Sequence, residues 1–395
     1  MNAGLRIAVT GLAGTYPFGG VFWDYLQYAV GLRRLGHDVL YLEDTGKWCY
    51  DPQVATFTDN GRRNATLLGE RIARIDPGLR WFFRDAAGRC YGCAWQDVVA
   101  FCRHADLFLH VSASCWMREE YFAARHVAFV DSDPMYTQAS VNGYVEGTID
   151  DLGRSRIDEL RRHDVFFTFA ENIGAPDCRV PTALFDWMPT RQPIVLDLLA
   201  AATVPAERRR AWFTTVGTWD LSGTRPVVDG VHYGGKSAEF RRFLDLPASS
   251  PVPLHVAFSG EVPARQLRRK GWVLDDAMTA SGEPWAYLDY LAHSLGEWSV
   301  AKQAYVASRS GWFSCRSACY LALGVPVVVQ DTGFDVAIPS GEGVLTFSTL
   351  DQAADAIDRV ATKPGLHARA AYQLAAEFFA SDRVLRPLLD RALGH

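Results

Sequence analysis

The sequence predicts an α/β protein built from two Rossmann-like domains in series. Three observations carry that expectation. Apolar strand-length runs alternate with helix-period segments along most of the chain. The first 50 residues read as a strand–loop–helix–strand unit, and a second such series starts near residue 212. The length, 395 residues, suits two domains, and the composition (49% hydrophobic, 22% charged) is that of a globular protein with enough apolar mass for two cores.

Arg6-Ile-Ala-Val-Thr10 reads as a buried strand and Gly11-Leu-Ala-Gly14, with Gly19-Gly20, as the turn after it. Val21–Leu35 has helical periodicity and stops at Gly36, a residue suited to a helix C-cap. Asp38–Leu42 is the next strand, which completes a βαβ unit and implies parallel strands joined by a right-handed crossover. Trp81–Tyr91 reads as a hairpin, Trp95–His104 as a helix and Asp106–Val111 as a strand. Tyr121 and Phe122 are placed on a short helix. His126–Asp131 is a strand running into Asp131-Ser-Asp-Pro134, Ile149–Arg162 a helix and Val165–Phe169 a strand. The first domain is therefore expected over 1–195, with Pro193 to Pro205 as the passage to the second.

In the second series Trp212–Val216, Leu254–Phe258, Val325–Val329 and Val344–Phe347 read as strands. Trp285–Leu295, Ser314–Leu323 and Leu350–Ala361 read as helices, and Gly365–Leu393 as helical throughout. This second domain is expected over 205–370. Residues 371–395 form the closing helices.

Composition excludes several function classes. The formal charge is −5 and no basic block or stripe is present, so nucleic acid is not an expected partner. No run of about 18 apolar residues occurs, so no stable membrane insertion is expected. Met1–Gly4 leads straight into a strand pattern without a signal-peptide signature, so a cytoplasmic location and reduced thiols are expected for the eight scattered cysteines. Cys90-Tyr-Gly-Cys93 has a metal-ligand spacing, but no second such pair accompanies it. It reads as ordinary buried thiols beside a hairpin turn, and no metal site is expected. Of the 40 basic residues only five are Lys, which makes each lysine worth locating.

Ligands of open parallel sheets bind beyond the carboxyl ends of the strands, so two facing domains put the site in the cleft between them. The strongest local signal is Ser308-Arg-Ser-Gly-Trp-Phe-Ser-Cys-Arg-Ser317, a serine- and glycine-bearing loop that opens a helix. Free N–H groups and the helix dipole there favour a diphosphate. Ser310, Gly311, Ser314 and Ser317 would supply the loop's donors, and Arg316 a charged fork.

That helix leads into Gly324-Val-Pro-Val-Val and then Gln330-Asp-Thr-Gly-Phe334. Together with the first-strand glycine loop and the LRRLGHDV turn (Leu32–Val39), this resembles the nucleotide-sugar glycosyltransferases of the two-Rossmann GT-B fold. The resemblance implies two domains facing across a cleft, with the closing helices crossing back to the first. It also implies a nucleotide-diphosphate sugar, UDP-type in preference to GDP- or dTDP-type, as co-substrate, with no resident cofactor and a small-molecule acceptor. Position by position, Asp331, Thr332 and Gly333 fall where the family contacts donor sugar hydroxyls. Gly217 and Thr218 match the first strand-to-helix loop of the donor domain, and Gly19 and Gly20 the opposing loop. Retaining members carry paired glutamates near the donor helix. The matching positions here are Cys319 and Gly311, so inverting transfer is expected.

Inverting transfer needs one base from the first domain. Asp131 and Asp133 stand at a strand end and are the candidates, ahead of Glu171 and of His110, which reads as a core histidine. Asp133 precedes Pro134 and could equally shape a turn. Lys236 after Gly234-Gly235, and Lys302 before the serine loop, are candidates to stabilise a departing diphosphate without a metal. Two other readings stay open. An NAD-dependent oxidoreductase would use Thr10–Gly14 as its loop and Glu43 or Asp44 on the ribose, though the spacing is not GxGxxG. An epimerase or a non-catalytic binder of the same fold would keep the donor site and dispense with the transfer. The oligomeric state has no signal in the sequence.

Overall fold

Two parallel sheets, one per lobe, organise the chain in the computed structural model, which describes residues 4–220 and 225–394. The first lobe contains β1 (Arg6–Thr10), β2 (Asp38–Asp44), β3 (Arg80–Arg84), β4 (Cys90–Gly92), β5 (Leu107–Val111), β6 (Val127–Asp131), β7 (Val165–Thr168) and β8 (Trp187–Pro189). Their spatial order is β8-β7-β6-β5-β1-β2-β3-β4, and only β4 runs antiparallel, as the return strand of a hairpin. The second lobe contains β9 (Phe213–Thr218), β10 (Leu254–Ser259), β11 (Val273–Leu274), β12 (Gly296–Ser299), β13 (Val327–Gln330) and β14 (Val344–Phe347), in the order β11-β10-β9-β12-β13-β14, all parallel.

Strands covered on both faces are apolar along most of their length, and every residue of β5, β6 and β13 is buried, the few polar ones (His110, Asp131, Gln330) included. The first helix, α1 (Gly19–Arg34), returns the chain from β1 to β2, where Ile7 pairs with Val39 on one side and Leu107 on the other. One apolar cluster runs through both lobes, from Ile7 and Phe22 to Tyr287, Leu321 and Leu385, so the lobes share a core near the crossings of the chain.

Several expectations are corrected here. Helix α1 starts at Gly19, so Gly19 and Gly20 form its first turn and not the preceding loop. Tyr121 and Phe122 lie in a turn closed by Arg118 carbonyl bonds. An unexpected helix, α2 (Tyr136–Glu146), follows β6; its few buried positions leave little apolar periodicity. Cys90 is exposed. The closing segment is not one helix. It runs as Pro364–Leu374, a π-turn over Ala375–Phe379, a break at Ala380, and Ser381–Ala392. The break has a cause: Ala380 pairs with Ile194, where the chain first passes between lobes, through Ile194 N–H to the Phe379 carbonyl and Ser381 N–H to the Ile194 carbonyl. The last helix then crosses back onto α1, close enough that a Cβ on Gly31 would lie 2.7 Å from Leu385 Cδ1. No helix among the described residues is long and apolar enough to cross a membrane.

Candidate functional site

The carboxyl ends of both sheets face each other, and the loops leaving them meet in the cleft. At the end of β2, Glu43 is fully buried and accepts from Gly14 N–H, Thr15 N–H and hydroxyl, and the Tyr41 hydroxyl. It fixes the loop that leads into α1. Asp44 is bound by Arg118 and Tyr121. Both acids that a dinucleotide reading would place on a ribose are thus taken by internal partners. His110 is a core residue: its Nδ1 lies 3.0 Å from Nε2 of His163, and burial holds both imidazoles below their ordinary pKa. Glu171 is ion-paired to Arg191.

The two aspartates of the β6 loop, two residues apart, have opposite surroundings. Asp131 is buried and accepts from Thr137, Gln138 and Thr168, tying β6 to α2 and β7. Burial pushes its carboxyl up to about 6, with the hydrogen bonds pulling the other way. Its carboxylate oxygens are thus occupied by three side chains of its own lobe. Asp133 faces the cleft. Its side chain is 55% reachable by solvent yet ringed by both lobes, as a group in a narrow wet cleft is. Lys302 Nζ, from the other lobe, sits 2.6 Å from its Oδ1, and the Tyr305 hydroxyl donates to the same oxygen. Burial alone would raise this carboxyl; Lys302 and Tyr305 more than reverse that and hold it below the ordinary carboxylate range.

The second lobe supplies the cations. Arg316, in α3 (Cys315–Ala322), donates Nε to the fully buried Glu297 at 2.6 Å and one terminal nitrogen to the Val216 carbonyl at 2.8 Å. These bonds turn the guanidinium toward the end of β9. There Gly217 leaves room: a Cβ at that position would lie 3.2 Å from Lys236 Nζ and 3.5 Å from the Arg316 guanidinium. Lys236 makes no hydrogen bond or ion pair among the described residues. Burial, helped by Arg316 and Lys302, brings its ammonium down to about 7. Thr218 is next in line, with its hydroxyl 3.2 Å from that of Ser259. Gly217, Thr218, Lys236, Lys302 and Arg316 are therefore brought together as a cationic wall.

The serine loop behaves differently. It does face the opposite lobe, but protein fills its mouth. Asn172 N–H binds the Ser310 carbonyl, and Gly311 (φ 81°) lies so close to Asn172 that a Cβ would meet its backbone nitrogen at 2.3 Å. Trp312 donates Nε1 to the Ser132 carbonyl. Ser314 and Ser317 line a cavity of only about 10 Å³, walled by Trp312, Phe313 and Phe334, and the buried Ser317 hydroxyl has no hydrogen-bond partner among the described residues. Such a space is of the order of one water molecule. Thr332 donates to the Trp312 carbonyl; Asp331 receives Gly333 N–H and pairs with Arg309; Gly333 (φ 86°) packs on Asn172 and Arg309. In this arrangement Ser310, Gly311 and Gly333 abut Asn172 of the other lobe, while Ser314, Ser317 and Thr332 are buried within the second lobe. At Gly19 a Cβ would meet Tyr287 Cβ at 2.5 Å and the Glu283 carbonyl at 2.8 Å, so this glycine serves the approach of another helix, while a Cβ on Gly20 would stand at ordinary contact distance, 3.7 Å, from the Tyr287 ring.

One residue the sequence reading passed over belongs in the site. Asp24, on α1, lines a 40 Å³ space in the cleft with Tyr25, Ser112, Ser132 and Cys315. Its carboxyl makes no hydrogen bond or ion pair among the described residues. Burial pushes it up to about 7, Arg316 pulling it down and Asp133 pushing it up. Only its position at the start of the helix after the glycine loop could have pointed to it.

No protein-family model matches the chain and no curated protein matches it by sequence. Solved structures do match it along nearly its whole length. They include AviGT4, a glycosyltransferase involved in avilamycin A biosynthesis (14% identity, TM-score 0.53, covering 98% of this chain and 97% of that one). An α-glucosyltransferase in complex with UDP and a 13-mer DNA containing a HMU base also matches (11% identity, TM-score 0.58, 99% and 100%). So does a sucrose-phosphate synthase from Thermosynechococcus elongatus (14% identity, TM-score 0.54, 98% and 98%). At these identities the likeness establishes the fold: two Rossmann-like domains in the GT-B arrangement.

Proposed function

We propose that this protein is an enzyme that moves a sugar from a nucleotide-diphosphate sugar, of the UDP type, onto a hydroxyl of a small-molecule acceptor, with inversion. The observation that carries the reading is Lys236, a lysine that makes no hydrogen bond or ion pair among the described residues, set beside Arg316 and the bare backbone of Gly217 at the carboxyl end of β9. A group so placed is suited to an incoming anion, because a diphosphate would return to Lys236 the charge that its surroundings suppress. The fold supports the same reading, as does the UDP named for one of its structural neighbours. A net charge of −5, with no basic stripe, favours a small acceptor over a polyanion.

In the transfer, the acceptor oxygen attacks the anomeric carbon, the bond from that carbon to the diphosphate oxygen breaks, and the acceptor proton passes to a base. Asp24 suits that last task better than Asp133. Its carboxyl makes no hydrogen bond or ion pair among the described residues and is pushed by burial to about 7, where a general base works best, whereas Asp133 is held by Lys302 and Tyr305. Lys236, Lys302 and Arg316 would take up the charge that builds on the departing diphosphate, the work a metal does elsewhere. The test is calorimetric titration with UDP, UMP and uridine. UDP should bind far more tightly than uridine, and Lys236→Ala should remove most of that difference. Equal binding of UDP and uridine by the native protein would refute the reading.

A further inference from the structure

The rim of the first lobe carries apolar side chains that folding leaves uncovered. Trp48, Val54, Phe57 and Trp116 are 58, 66, 50 and 62% exposed. They come from two stretches: the segment after β2, which forms a hairpin of Cys49–Asp51 against Thr56–Thr58, and the loop after β5. Both leave the carboxyl edge of the sheet, and Ser112, in the same loop as Trp116, lines the space beside Asp24. Trp116 N–H is bound to the Asp44 carbonyl, and its ring covers Gly46 closely enough that a Cβ there would lie 2.7 Å away.

The hairpin of the rim is braced against the loop that opens α1. Tyr50 N–H binds the Thr15 carbonyl, and Asn64 Nδ2 donates to both Gly14 and Tyr50 carbonyls at 2.8 Å. Tyr50 also packs against Phe18 and Phe57, with ring centres 5.0 and 5.5 Å apart. Thr15 and Phe18 belong to the short loop that opens α1, and α1 carries Asp24. Rings fixed before binding cost little order when a ligand stacks on them. The exposed charges around them, Lys47, Asp59 and Arg62, are of both signs. That mixture gives an anionic surface no particular hold.

We propose that this aromatic rim is the acceptor platform and that the acceptor is a flat, largely apolar ring compound bearing the hydroxyl that receives the sugar. The inference rests on the sugar-transfer reading and adds the class of acceptor to it. A probe of that class is 4-methylumbelliferone, a planar hydroxylated ring. Equilibrium dialysis with saturating UDP should show it bound to the native protein and about tenfold weaker or worse in the Trp48→Ala, Trp116→Ala double variant, one tenfold step being about 1.4 kcal/mol. Phe57→Ala should weaken it less, and UDP affinity should stay unchanged in all variants. Because these rings are exposed, the variants should keep the native melting temperature, and a lowered one directs the comparison to Phe57→Ala alone. Equal affinity in native and variant proteins overturns the proposal. So does absence of coumarin binding, or sedimentation of the native protein with phosphatidylglycerol vesicles in place of it. A native protein that binds no UDP but binds the coumarin through the rim would instead strike the donor reading and keep the planar ligand.

Discussion

The two walls of the cleft are built from opposite charges. The second lobe brings Lys236, Lys302 and Arg316 to the end of β9; the first lobe faces them with Asp24 and Asp133 and an aromatic rim. The separation suits a reaction whose two ends need opposite help. Negative charge accumulates on one side as the diphosphate leaves, and a proton must depart on the other. A second contrast lies within the second lobe. The serine loop and the cationic wall both face the other lobe, yet the loop is tied to that lobe through Asn172 and Ser132, whereas Lys236 makes no hydrogen bond or ion pair among the described residues. Facing the cleft is therefore not sufficient to keep a side chain free of protein partners.

Breaking the wall of carboxylates should have the largest effect on rate. Asp24→Asn should lower kcat by about 10²–10⁴-fold, the usual worth of a general base, with UDP affinity kept. Steady-state transfer assays and calorimetry on the same variant separate the two. Arg316→Ala should act on stability as much as on binding. It strands the buried Glu297 carboxylate, and removing one member of a buried pair costs about 3–5 kcal/mol. Chemical denaturation should register that loss, and Arg316→Ala, Glu297→Gln should recover part of it. Lys236→Ala should weaken UDP binding by roughly 1.5–3 kcal/mol, the worth of a charged hydrogen bond, and leave the melting temperature unchanged or raised.

Titration sharpens the contrast further. Asp24 must be ionised to act as base, so kcat should rise with pH through about 7. Lys236 must be protonated to hold the diphosphate, so the donor KM should rise as pH passes about 7 in the same direction. Above that pH, UDP binding should take up a proton, visible as a dependence of binding heat on the buffer's ionisation enthalpy. The smallest effect is on stability. The folded state keeps the Asp24 proton up to about 7 while the unfolded chain loses it near its ordinary pKa of about 4, so the folded state binds the more protons between those values. Native stability should therefore fall as pH rises through that window, and Asp24→Asn should flatten the slope in urea titrations.

Much of this architecture was legible from the chain. Apolar runs at Leu107–Val111 and Val127–Asp131 become buried parallel strands because such strands admit no alternation. The scarcity of lysine drew attention to Lys236 and Lys302, and both stand in the cleft. Asp131 and Asp133 show where local reading stops. They share a turn, but side chains of α2 and β7 occupy the carboxylate of one, and only tertiary contacts decide which. Gly19 and Gly311 were read as loop positions facing a donor; the close neighbours there are Tyr287 and Asn172, and no local pattern names them. Asp24 was invisible for the plainest reason. On a helix with most of its faces buried, a lone carboxylate has no spacing or motif to distinguish it until the other lobe packs against it.

A crystal structure of the protein with UDP tests the division of the cleft most directly. The β-phosphate should lie within hydrogen-bond reach of Lys236 Nζ and the Arg316 guanidinium, over Gly217. Phosphates found anywhere beyond the reach of Lys236, with its ammonium still unpartnered, would contradict the account.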